Sequence, residues 1–529
     1  MKTKYILLSG LLALATACSD DELFQDPSTS LSDETVIESY ETANTVLIGA
    51  YAATEHYHYL TIGQISQEVM GNDIMITNGN YNFSTYNWLM YAYNYIQYPA
   101  VVDGWWSAYS PYMWVKAYTA IGNCNMLIAN ADKLPTGCED IVAQAYGIRA
   151  WNFMNLYHLY CAAYNNPTSG GDNGKGLFLR LTPTSSDNSL MVERSNLKES
   201  IDQIISDFTY AYEHVSSSNN NYYINPKCCA LFLARIYLEI EDYANASKYA
   251  RIAASETFDG SNLMSRDEYQ AGFMHANTEW LWGANFNSET TNNYASIPSF
   301  YHAANSMDAS AVFGTAAYGT CVPGTSVPER YSYLEKNGVK FLKGYSTVRV
   351  AFSFADTFAK DAGTGTFKDC RALFPFYLSK EDGYFTSKFD NDGSLGIADY
   401  PLARIAEAYL IESEAKLGLG DAASSLKVLN ALQEQRNGSV STTSTIDEIY
   451  KERRRELYGE GFALTDLKRL QKSVERVGDE HWCDAGAKSI VANSPRMMFP
   501  IPDSELKYNP HYKGSNAEYN VGQNDYWAK

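Results

Sequence analysis

KCCALFLARIYLEIEDYANASKYARIAAS, residues 227–255, is the stretch that decides the fold class. From Ala230 to Leu238 it is almost wholly apolar, with Arg235 as the one charge, the composition of a helix covered on most sides. Glu241-Asp242 breaks the run, and aspartate is a good residue to start a new helix because its side chain accepts a free backbone N–H. Beyond the break, Tyr243, Ala246, Ala250 and Ala253 recur at helical spacing on one face. Alanines at the contact allow a short interaxial distance, so the spacing predicts two antiparallel helices packed closely on one another.

Working outward, the same pattern recurs. From Glu139 to Tyr160 the positions Ile141, Ala145, Ile148, Leu156 and Leu159 share a face, interrupted by Asn152, and the spacing predicts an amphipathic helix packed on a core. A further pair runs over Leu402 to Leu417 and Ala422 to Arg436, divided by Gly418-Leu419-Gly420-Asp421, where glycine ends one helix and aspartate caps the next. Paired helices with small contact residues resemble tetratricopeptide repeats, although the period is irregular. The expected fold is therefore mainly α, a tetratricopeptide-like helix-pair scaffold with long irregular loop and short-strand insertions at about 70–104 and 256–398. Those insertions are rich in Gly, Asn, Thr, Ser and aromatics, and binding sites concentrate in such segments. Within them Trp280 and Trp282 alternate as in a strand and are read as core.

The N-terminus has its own grammar. Lys2 and Lys4 precede an apolar run from Ile6 to Ala15, the order of a secretory signal. The run is too short to span a bilayer, which takes roughly 20 apolar residues. Ala15-Thr16-Ala17-Cys18 resembles a bacterial lipobox, with Ala15 where leucine is usual. The sequence thus divides into a signal peptide (1–17), a lipidated N-terminus at Cys18 with a flexible tether (18–34), and one domain (35–529). An acidic Ser19-Asp20-Asp21-Glu22 follows the cysteine and is similar to a tag that directs lipoproteins to the outer face of the outer membrane. Loss of the signal removes two lysines and no acids, taking the formal net charge from −20 to −22. A surface this acidic argues against nucleic acid as a partner. Eight cysteines remain after Cys18 without a CxxC pair, so they are read as small buried hydrophobes and no disulfide framework is expected.

Near the C-terminus, Glu452-Arg453-Arg454-Arg455-Glu456-Leu457, Glu460-Gly461 and Asp466-Leu467-Lys468-Arg469 together resemble the hallmark of the SusD/RagB family. Collinear segments agree: Gly49-Ala50-Tyr51, Arg149-Ala150, Leu233-Ala234-Arg235, Arg404-Ile405-Ala406-Glu407, Pro500-Ile501-Pro502, and Gly522-Gln523-Asn524. Ala463 departs from the pattern, since the family usually has arginine two residues after the hallmark glycine. The resemblance implies a surface lipoprotein with about four helix pairs, partnered with a SusC-like TonB-dependent outer-membrane transporter and binding a glycan, or in some members a peptide. The hallmark itself reads as structural, an ion-pair network with a capped turn at Gly461.

No motif for chemistry stands out: there is no GxSxG, HExxH, Walker loop or GxGxxG, and no cofactor or metal is expected. Gly170 to Gly176 reads as a turn. His56 and His58 lack a third ligand, and Asp390-Asn391-Asp392-Gly393 has Lys388 where a calcium loop needs its first carboxylate. What does stand out is 42 tyrosines. Sugar C–H faces pack on aromatic rings while hydroxyls seek amides and carboxylates. The Asn78 to Tyr98 segment mixes both, and Trp88, Asn87, Tyr86, Tyr81 and Tyr91 are the expected ligand contacts, joined from the later insertion by Tyr294, Phe300, Tyr301 and Arg349. A glycan, a peptide in a RagB-like protein, and the substrate of a secreted glycoside hydrolase remain three readings at this stage.

Overall fold

The structure is a computed structural model that describes residues 38–511 apart from 58, 77–90, 92–108, 184–190, 217–219, 291–295, 302–319, 322–346, 375, 378–382, 391–396 and a few positions beyond 478 (479–480, 482, 484, 503–504 and 506–508). The scaffold is a succession of helices: α1 (Tyr40–Thr54), α2 (Leu60–Val69), α3 (Tyr109–Ala129), α4 (Glu139–Tyr160), α5 (Leu197–His214), α6 (Pro226–Glu239), α7 (Tyr243–Ala253), α8 (Ile405–Gly418), α9 (Ala422–Gln435), α10 (Ile446–Leu457) and α11 (Ala463–Arg469). Contact passes along the chain from α1 to α3, then α4, α5, α6, α7, α8 and α9, each helix lying on the next, so the expected helix-pair scaffold is present.

Local chemistry explains the boundaries. Asn225 and Pro226 start α6, the Asn225 carboxamide accepting the Cys228 N–H while proline occupies a position whose N–H would have no partner. Asp242 caps α7 by accepting from Asn245 N, and the turn between the two helices is closed by Glu241 in the left-handed region (φ 62°). Gly420 (φ 83°) and Asp421 divide α8 from α9 in the predicted manner. Two readings need correction. Helix α4 is not amphipathic: every residue from Gly147 to Tyr160 is buried, and Asn152 fits inside because its Nδ2 donates to Thr54 Oγ1 at 2.9 Å and to the Ile148 carbonyl at 2.8 Å. Leu402 to Arg404 are not helical but close a strand, and α8 begins only at Ile405.

That strand belongs to one of two short ribbons that anchor the insertions. In chain order these strands are β1 (Ile74–Ile76), β2 (Trp280–Ala284), β3 (Val348–Val350) and β4 (Tyr400–Arg404); β1 pairs with β3 and β2 with β4, both antiparallel. Trp282 drives the β2–β4 ribbon into the helices. Its ring lies edge-on to Trp151 of α4 (5.7 Å), Phe232 of α6 (5.8 Å) and Tyr51 of α1 (6.4 Å), as expected of a core residue.

The hallmark segment forms an ion-pair network, and it is interior. Arg371, Arg404, Arg436, Arg455 and Lys388 face Asp369, Glu279, Glu452, Glu456 and Glu460, all buried, and the equal numbers leave no net charge to bury. Glu456 is the hub, accepting from Arg404 at 3.1 Å, Arg436 at 3.1 Å and Arg371 at 3.2 Å. Burial alone would push its carboxyl up, but Arg436, Arg404 and Arg371 outweigh burial and hold it far below the usual carboxylate range. Around it, Arg453 and Arg469 share Asp466, and Arg235 donates to Glu407. The network joins α6, α8, α9, α10 and α11 to the insertions that carry Glu279, Asp369 and Lys388.

Candidate functional site

The β1–β3 ribbon is the root of the region read from sequence as ligand-facing. Its register pairs Ile74 with Val350, Met75 with Arg349 and Ile76 with Val348, and all six residues are buried. The chain leaves the ribbon after Ile76 toward the Tyr/Asn-rich segment and re-enters it at Val348 from the later insertion, so both segments spring from one end of one ribbon. The other end is held by Asp73, whose carboxylate accepts from Arg454 Nε of α10 at 2.8 Å and whose carbonyl accepts the Ala351 N–H at 2.8 Å. Trp88, Asn87, Tyr86, Tyr81 and Tyr294, as well as Cys18, lie outside the described residues.

Four other expected contacts, Tyr91, Phe300, Tyr301 and Arg349, are placed in the interior, and the expectation gives way to a packing role. Tyr91 is fully buried; its hydroxyl is 2.7 Å from His481 Nδ1, and the Arg476 guanidinium lies 4.2 Å above its ring. Arg476 in turn donates to the carbonyls of Val69 (2.6 Å), Gly71 (3.0 Å) and Ala487 (3.1 Å), so Tyr91 pins the returning chain to a hub of backbone acceptors. Burial, with help from Arg476 and Lys488, pushes His481 down to about 3 and keeps it neutral. Tyr301 packs against Phe389 at 5.0 Å, and Phe300 beside it is also buried. Arg349 lies 3.7 Å over the Phe385 ring and donates to the Val348 carbonyl at 3.1 Å. Each side chain is spent on the protein itself.

A surface with the expected chemistry does occur among the described residues, around Asp399. Its carboxylate accepts the Tyr222 hydroxyl at 2.6 Å, the Asn285 Nδ2 at 3.0 Å and the Phe286 N–H at 3.2 Å, with exposed His275 at 3.5 Å. Burial and the bond to Asp399 push the Tyr222 hydroxyl up to about 12, so it stays a donor. Tyr223 beside it is 40% exposed, held edge-on to Tyr51 at 5.3 Å. Glu55 is pushed up to about 8, first by burial and then by Asp399, and so is largely protonated at neutral pH. Phe286 stands five residues before the segment that carries Tyr294. Asp399 is itself buried and orients the exposed groups around it, and the Tyr223 ring, the Asn285 amide and His275 are the chemistry a polyhydroxylated ligand would meet. In sequence this cluster is marked by Asn219-Asn220-Asn221-Tyr222-Tyr223, which has the same Asn/Tyr signature as the Asn78 to Tyr98 segment.

Elsewhere, a cavity of about 40 Å³ lies between α2, α4, α6, α8 and α11, lined by Gln64, Asn155, His158, Glu239 and Arg453 among others. That is room for a few waters and not for a sugar ring. Among the described residues no three His, Cys, Asp or Glu converge as a metal site. His56 stacks on Tyr57 at 5.1 Å and is pushed down to about 4 by burial and Lys116. The described cysteines whose side chains are placed are free and buried, as their spacing predicts.

Two family models match this chain. One, described as starch-binding and associating with the outer membrane, matches residues 23–238, and the model of the SusD family itself matches residues 377–527. The chain belongs to the SusD family. A SusD-like protein of Formosa agariphila is 22% identical over 399 residues, 69% of this chain and 73% of that protein. Among solved structures, a SusD-like carbohydrate-binding protein of Bacteroides vulgatus superposes with a TM-score of 0.69 at 22% identity, covering 90% of this chain and 97% of its own. Surface glycan-binding protein A of Bacteroides uniformis gives 0.62 at 14% identity, covering 89% and 98%. At such identities the SusD fold is what is shared, and it extends over nearly the whole chain.

Proposed function

We propose that this SusD-family chain is a cell-surface lipoprotein, held to the outer membrane through Cys18, that captures a glycan without transforming it and delivers it to a SusC-like TonB-dependent transporter for uptake. The observation that carries the reading is the ribbon: a rigid root, locked to the hallmark helix α10, from whose one end both aromatic- and amide-rich segments leave. The names of the B. vulgatus and B. uniformis relatives and the description of the first family model favour a glycan over a peptide. Trp88, Asn87, Tyr86 and Tyr81, with Tyr294, are the proposed contacts, and the Asp399 surface with Tyr222 and Tyr223 extends them. The chemistry is that of a grip: rings for the C–H faces, amides and carboxylates for the hydroxyls. The test is affinity electrophoresis of the protein lacking its signal and Cys18 against a panel of polysaccharides, with a peptide mixture in parallel and a reducing-end assay on each polysaccharide. Retardation by one glycan class without new reducing ends is the expected result. Binding confined to peptides, or release of reducing ends, replaces the reading with the RagB-like or the hydrolase alternative.

A further inference from the structure

Helices α1 and α3 are nearly free of charge in a chain that is 19% charged. Glu41 is the one charged side chain in the 15 residues of α1, and Lys116 the one in the 21 residues of α3. An exposed helix face ordinarily carries charge, and α5 does so, with Lys198, Glu199, Asp202 and Glu213 all exposed. Yet α1 and α3 are not fully covered. Ile48 is 51% and Val115 50% exposed, Ala52 and Thr119 are exposed, and Met126 is partly so.

Within each helix these residues share a face: Ile48 and Ala52 are four residues apart on α1. Val115, Thr119 and Met126 lie along a single stripe of α3 by helical spacing. The two helices run antiparallel, since a Cβ at Gly49 would come within 3.1 Å of Asn123 Nδ2 while Lys116 acts on His56 at the other end. The next segment extends the surface: Asn125 Nδ2 donates to the carbonyls of Arg180 (2.9 Å) and Thr182 (3.0 Å), and Leu181 between them is 38% exposed. The result is a charge-poor surface with exposed aliphatic side chains and Glu41 at its edge. Depletion of charge is the compositional mark of an interface core.

The chain itself says where this surface is kept. Helix α1 begins at Tyr40, only about 20 residues after Cys18, and a random-coil chain of that length would have a root-mean-square span of about 25 Å. A lipidated Cys18 therefore holds the start of α1 near the outer leaflet, which puts an outer-membrane protein within reach of this face. We infer that the α1–α3 face docks on an uncharged extracellular surface of the transporter; the inference rests on the transporter reading above and adds the site of contact. A second copy of this chain is the competing occupant, and the test below separates the two.

The experiment uses the full-length lipidated chain, tagged at its C-terminus and solubilised from the outer membrane in mild detergent. The co-purified barrel is identified by mass spectrometry and by its heat-dependent mobility. Ile48→Arg and Thr119→Arg each place a charge in the face and should lower the recovered barrel by about tenfold or more, because an unpaired charge in an interface core is costly. Lys198→Glu on α5 should leave recovery unchanged, and all three variants should keep the wild-type melting temperature and glycan retardation. Full recovery with both arginine variants overturns the inference while leaving the transporter reading in place. A wild-type protein that recovers no barrel overturns both. A soluble wild-type dimer in analytical ultracentrifugation that Thr119→Arg dissociates assigns the face to self-association and overturns it as well.

Discussion

The carboxylate of Glu68, buried on α2, accepts the backbone N–H of Gly461 at 2.7 Å and that of the following Phe462 at 2.8 Å. One side chain thereby closes the turn between α10 and α11, and Gly461 has to be glycine there: its φ is 87° and a Cβ would meet the Gln64 carboxamide. Burial, reinforced by Asp73, raises Glu68 from the ordinary 4.5 to about 7 despite those N–H groups. A raised folded-state value means the folded protein holds the proton more tightly. Its stabilising effect is complete below pH 4.5 and is lost as pH rises through 7. Glu68→Gln keeps an acceptor for both N–H groups and removes the titration. The melting temperature of the variant relative to wild type should therefore be higher at pH 8 than at pH 5. An offset equal at both pH values would show that Glu68 does not titrate in this range.

Glu456 gives a prediction of opposite sign. It is the carboxylate shared by three buried guanidinium groups, so Glu456→Ala leaves those charges without their hub. Breaking a buried pair from one side costs ~3–5 kcal/mol. Urea denaturation should show a loss of that order, against almost none for Lys198→Ala at the exposed Lys198–Asp202 pair. Equal losses would mean that the network contributes nothing beyond surface pairing.

Cys18 carries the anchoring prediction. Each buried methylene of an acyl chain contributes ~0.8 kcal/mol, and no helix among the described residues is long and apolar enough to cross a membrane. Cys18→Ala should give a folded protein found in the soluble fraction of cells lacking the transporter. Retention that only detergent reverses would overturn the anchor.

Parts of this fold were legible because their signals are local. The 227–255 pair was readable from a break flanked by caps and from alanines at one face, neither of which needs distant information. Leu402 to Arg404 misled because leucine, alanine and arginine are good helix formers, and only pairing with β2, more than a hundred residues earlier, makes them a strand. The charges of α10 announced ion pairing but not burial, since their partners Arg371, Arg404, Asp73 and Asp466 lie on separate segments. The site was harder. A tyrosine that grips a ligand and one that packs the loop look alike in sequence, and Tyr91 turns inward because His481, 390 residues away, meets its hydroxyl.

That ambiguity sets the last prediction, which pairs Trp88→Ala with Tyr91→Ala. Tyr91 fills an interior site between Arg476 and His481, so truncation leaves a cavity and strands buried polar groups; removal of a buried aromatic ring costs ~3–5 kcal/mol. Trp88 belongs by its Asn- and Tyr-rich neighbours to the proposed ligand face, and a ring stacked on a sugar is a hot spot whose loss costs roughly 2 kcal/mol, about 30-fold in affinity. Calorimetric titration and thermal melting of both variants separate the roles. Trp88→Ala should bind weakly at an unchanged melting temperature, while Tyr91→Ala should melt early yet bind normally at low temperature in its folded fraction. If Trp88→Ala lowers the melting temperature as Tyr91→Ala does, and its folded fraction binds as wild type, Trp88 is a packing residue like Tyr91. The grip on the glycan would then fall to the Asp399 surface, where Tyr223→Ala is the next variant to titrate.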